Sequence, residues 1–160
     1  MEHLDTLHTI AEIAVALAGF TGIVTIFSSR SGHWPPAEVL RLRTLLRASL
    51  SALFLCFVPI LFSFLTPAPA QVWKASCLVI AAVMSINLVV FWSRSRPNHI
   101  RAIQKATLVG GFSVVIVLIS ASLGAAPDPA LVVLFALLWQ LFIAAQNFVL
   151  LLVAGISDES

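Results

Sequence analysis

Apolar residues run through this chain in five long blocks, broken at residues 29–44, 66–71, 93–105 and 126–129 by Pro, Gly, Ser and charge. Crossing a ~30 Å hydrocarbon core takes about 20 helical residues. The pattern therefore predicts an all-α integral membrane bundle of five transmembrane helices, over residues 7–28, 45–65, 72–92, 106–125 and 130–156. The whole chain, residues 1–160, reads as a single transmembrane domain. A four-span alternative would lay the first segment along the interface. Pro35-Pro36 suits a helix start, so the second helix is expected to begin near Ala37 with a basic interfacial stretch. Trp73 and Trp92 bracket the third helix. Nineteen residues at ~1.5 Å each separate them by ~28 Å, the spacing of two interfacial aromatic belts.

Within the blocks, residues sort by size. On the first helix Ile10, Ile13, Leu17, Phe20 and Val24 share one side, while Asp5, His8, Glu12, Ala16 and Gly19 share another. Ala11, Ala14, Ala18 and Gly22 continue the small-residue surface. In lipid, small residues mark close helix contacts and bulky ones usually face the tails. The expected packing positions are therefore Ala14, Ala18, Gly19 and Gly22. Similar faces follow on the later helices: Ser49, Ala52, Cys56, Pro59 and Ser63; Ser76, Ile80, Val83 and Asn87; Gly110, Ser113, Val117, Ser120 and Gly124; and Ala136, Gln140, Ala144 and Asn147. Gly110 and Gly124 are expected to pack, and Pro59 to kink its helix.

Composition agrees with the pattern. Sixty per cent of residues are hydrophobic and 10% charged, with a mean hydropathy of +1.04, against about 25% charged in soluble domains. The distribution of charge adds orientation. Arg30, Arg41, Arg43 and Arg47 fall in one gap, Arg94, Arg96, Arg101 and Lys105 in another, and Lys74 alone falls on the opposite side. The positive-inside rule then puts the N-terminus outside and the C-terminus inside. No Lys or Arg precedes residue 30, so the first block lacks the basic start of a signal peptide and is expected to be retained.

Candidate chemistry is sparse. Asp5, His8 and Glu12 lie at i, i+3 and i+7, on one face of a helix. A metal site from one helix alone would be incomplete. The face could instead be acids favoured by a helix N-terminus, or a protonatable, cation-attracting group centred on Glu12, with Lys74 at comparable depth as a partner. Asn87, Gln140 and Asn147 would hydrogen-bond between helices or line a pathway. Cys56 and Cys77 form no motif. No zinc pairing, phosphate loop or nucleophile motif appears. Enzyme activity, a cofactor, a bound metal and nucleic-acid binding are accordingly not expected. The expected partners are the lipid bilayer, further copies of the chain, or another membrane protein.

The stretch from Ala11 to Val24, AEIAVALAGFTGIV, resembles the opening of uncharacterised small bacterial multi-span integral membrane proteins that read approximately AEIxxALAGFxGIV. The segment from Arg41 to Leu46 is similar to their RLRxLL pattern. The resemblance implies a bacterial inner-membrane setting and implies that Glu12, Gly19, Phe20 and Gly22 belong to the shared pattern. It implies no activity. Two functions follow as expectations: a self-associating channel or transporter for a small ion or solute, or a non-transporting scaffold whose Glu12 face binds a partner.

Overall fold

The structure, a computed structural model, describes residues 3–28, 36–66, 68–94, 102–125 and 128–157. Five helices account for nearly all of them: α1 (Leu4–Ser28), α2 (Pro36–Leu65), α3 (Pro69–Arg94), α4 (Ala102–Ser122) and α5 (Pro129–Ser157). All five are long and apolar enough to cross a membrane. The all-α, multi-pass membrane architecture expected from the apolar blocks is thus present. Arg30, Arg96 and Arg101 lie outside the described residues.

Helix ends follow local chemistry. Pro36, Pro69 and Pro129 each occupy the first position of a helix, where a missing N–H costs nothing. The Asp128 carboxylate accepts from the Ala130 amide at 2.9 Å and caps α5. At the other end of α4, Gly124 adopts φ 88°. Its amide donates to the Ala121 carbonyl and that of Ala125 donates to Ser120, closing the helix with the left-handed turn that glycine accommodates. Helix α2 continues through Pro59, whose ring is buried.

The helices group into two compact units, with α2 and α5 contributing to both. The first holds α1, α2 to Phe54 and α5 from Gln140. Its core gathers Leu45, Ala48, Ala144 and Leu151, against which Leu17, Leu42, Ile143 and Phe148 pack. Phe20 also meets Phe148, ring centroids 5.7 Å apart. The Arg41 guanidinium donates through Nη1 to the Leu150 carbonyl at 3.1 Å. The second unit holds Leu55 to Trp139. There α3 packs along α4, Leu88 reaches onto Gly111, and Trp139 lies against Gly110 so closely that a side chain at 110 would meet its ring. The Cys77 thiol donates to the Pro129 carbonyl at 3.6 Å.

Burial corrects the size-sorting rule on two helices. On α2 and α5 the small faces do turn inward, with Ser49, Ala52, Cys56, Pro59, Ala136, Gln140 and Ala144 buried. On α1 the rule holds for Ala14, which is buried, and for Ile13 and Phe20, which are exposed, but Leu7 and Ile10 also turn inward while Ala16, Gly19 and Gly22 are exposed. On α4 the buried stripe is Leu108, Gly111, Val115, Leu118 and Ala121, while Ser113, Val117 and Gly124 are exposed. The physical reason is complementarity. Close packing needs large side chains opposite small ones, and Leu17 of α1 meets the core that contains Ala48 and Ala144. A helix that faces small residues supplies the bulk itself.

Candidate functional site

Helix α1 runs from a polar first turn into an apolar segment, and its rotation decides where its acids go. Leu7, Ile10, Ala14 and Thr21 define the side it buries. At about 100° per residue, Asp5, His8, Glu12 and Gly19 project from the opposite side, and all four are exposed. Glu12 therefore points away from the buried side of α1. It sits about 12 Å along the helix from Leu4. Among the described residues it forms no ion pair, and no three His, Cys, Asp or Glu side chains converge with metal-ligand geometry. The flanking positions are Ala16 and Gly19 downstream and Thr9 upstream. The Thr9 hydroxyl donates to the Asp5 carbonyl at 3.0 Å. A Cβ added at Gly19 or Gly22 would meet nothing within 4 Å. These two glycines, expected as packing positions, make no such close approach within the chain.

Lys74 has a different setting. It is exposed near the start of α3, and its Nζ lies 3.4 Å from where a Cβ on Gly124 would sit. The ammonium thus covers the carbonyl end of α4, where a positive charge is favourable. Lys74 and Gly124 both belong to the second unit.

The intramembrane amides differ from one another. Asn147 donates through Nδ2 to the Ile143 carbonyl of its own helix at 2.8 Å. Asn87 is half-buried on α3. Gln140 is only 4% exposed, and its Nε2 has no acceptor. The hydroxyls mostly bond backwards along their own helices: Thr21 to Leu17, Thr44 to Leu40, Ser49 to Leu45, Ser76 to Val72, Ser85 to Ala81 and Ser113 to Val109. Such groups are satisfied without water or a solute.

Sequence reading missed one position. Charge distribution assigns Arg41 to orientation with Arg43 and Arg47, yet it turns inward and ties α2 to α5. Its spacing to Leu45 and Ala48, i+4 and i+7, carries that signal, since both are buried. Gly110, expected as a packing position, lies against Trp139, and only the identity of that partner, on another helix, was not legible. No family model, curated protein or solved structure matches this chain.

Proposed function

We propose that the chain is a multi-pass protein of the bacterial inner membrane that works as a homo-oligomer, with a proton or small cation passing Glu12 in the seam between copies. One observation carries this reading: Glu12 faces away from the buried side of a helix long enough to span the membrane. A charged carboxylate at mid-span costs about 2.5–3.5 kcal/mol on insertion scales, and such groups usually face protein or water. Nothing within the chain pairs with Glu12 among the described residues. A second copy of α1 would cover it, and the open surface at Gly19 lets two backbones approach closely. His8 of one copy and Glu12 of the other, offset by about 6 Å along the axis, would lie within reach. The eight-to-one distribution of Lys and Arg supports an N-terminus outside and a C-terminus inside. The bacterial setting rests on the resemblance of the first helix.

A scaffold role is the second reading, and the hydroxyls favour it. Groups that bond within their own helices, Asn147 among them, need no solute to satisfy those donors. The test is proton and cation flux into proteoliposomes, comparing wild type with Glu12→Gln after both are shown to be folded. Flux that the substitution abolishes supports transport. A wild-type protein that moves no ion across a broad panel overturns it and leaves the scaffold, for which a defined copurifying membrane protein is the expected result.

A further inference from the structure

The first half of α2 carries arginines on two opposite faces, and only one face is used by the fold. Arg41 turns inward with Leu45, Ala48 and Ala52, and donates to Leu150. Arg43 and Arg47 turn outward, followed by Leu50 and Phe54, which are 36% and 67% exposed. We propose that Arg43 and Arg47, with Leu50 and Phe54, form a binding site for an anionic glycerophospholipid, its phosphate held by the two guanidiniums and its acyl chain lying along the apolar pair.

Length places this surface at the right depth. Helix α2 has 30 residues, about 45 Å, while the hydrocarbon core takes only ~30 Å, or about 20 residues. Counting back about 20 residues from Leu65 reaches Leu46. Arg43 and Arg47 then stand at the headgroups, and Leu50 and Phe54 enter the tails. The two arginines are one turn apart, about 6 Å along the axis, so both can reach one phosphate. Guanidiniums bind phosphate oxygens through paired N–H groups, and their stems can lie along the apolar surface.

Charge selects among lipids. Among the described residues neither arginine forms an ion pair. The nearest acid on the helix, Glu38, falls on the inward side with Arg41. Two uncompensated positive charges favour a net anionic headgroup and disfavour one that carries its own ammonium. The exposed Leu50 and Phe54 distinguish a lipid from a free phosphate, which has nothing to place there. This site stands independently of Glu12 and of any transport.

The test is competition between phosphatidylglycerol and phosphatidylcholine in mixed nanodiscs, with bound lipid counted by native mass spectrometry. Wild type should retain phosphatidylglycerol preferentially, and excess inorganic phosphate should not displace it. Basic residues near an anionic surface contribute about fivefold each in affinity, so Arg43→Gln with Arg47→Gln should lower the preference by about thirtyfold. The double lysine variant should keep most of it, and the control Lys74→Gln, which removes an exposed lysine of α3 on the other side of the charge distribution, should keep all of it. Unchanged circular dichroism and elution would show that the variants fold. The proposal is overturned if the double glutamine variant retains the wild-type preference, if the control loses as much, or if inorganic phosphate displaces the lipid.

Discussion

Replacing Gly110 with alanine places a methyl group against Cζ2 and Cη2 of Trp139, well inside the ~3.5–4.0 Å optimum for carbon contacts. Both residues are in the second unit, and the indole is a rigid plate that can relieve the clash only by moving as a whole. Overpacking of this kind costs about 1–3 kcal/mol. Alanine also favours a helix over glycine by up to about 1 kcal/mol, so a matched control is needed. Gly111→Ala gains the same backbone term on the same helix. Its methyl would lie 2.8 Å from Leu88 Cδ2, the free end of a flexible side chain that can shift for about 0.5–1.5 kcal/mol. The Gly110 variant should therefore be less stable than the Gly111 variant by about 1 kcal/mol. At roughly 2–4 °C per kcal/mol for a chain of this size, its melting temperature should be lower by about 2–4 °C. Cys56 and Cys77 provide the assay, because both are free and buried, and a thiol-reactive dye reports their exposure on heating. Trp139→Leu should relieve most of the penalty in the double variant, giving a coupling of about 0.5–3 kcal/mol. Equal melting temperatures for the two alanine variants would refute the account of this contact.

Arg41→Gln should destabilise the protein by about 1.5–3 kcal/mol through loss of a charge-assisted bond to Leu150, whereas Arg43→Gln should stay within about 0.5 kcal/mol; equal losses would remove the distinction between the two faces of α2. Gln140→Leu should match or exceed wild-type stability, because the buried Nε2 has no acceptor to lose. A loss above about 1 kcal/mol in the same thermal assay would mean that the amide is bonded after all.

The number of helices and their approximate extents were legible because a span must be long and apolar, and both properties are local. The choice of buried face on α2 and α5 was legible too, since small residues there form a continuous stripe. On α1 the rule held for Ala14 but not for Gly19 and Gly22. Their acidic side turns outward, while Leu17 packs against the core that holds the alanines of α2 and α5. That choice depends on the partner helices, so α1 alone could not reveal it. The Asp5–His8–Glu12 face was recognised as polar, but its outward direction came only with the packing. Arg41 shows the reverse case: its position on the Leu45–Ala48 stripe was there to be read, and charge counting obscured it.

The central claim is that the Glu12 face of α1 meets another copy of the same chain. The most direct test is oxidative cross-linking in native membranes, in a background with Cys56 and Cys77 replaced by serine. A two-fold interface brings a residue near its own counterpart, so Gly19→Cys should give a covalent dimer, while Ala14→Cys, buried on the opposite side of α1, should remain monomeric. A Gly19→Cys protein that stays monomeric under conditions where Phe54→Cys or Ile116→Cys dimerises would contradict the claim.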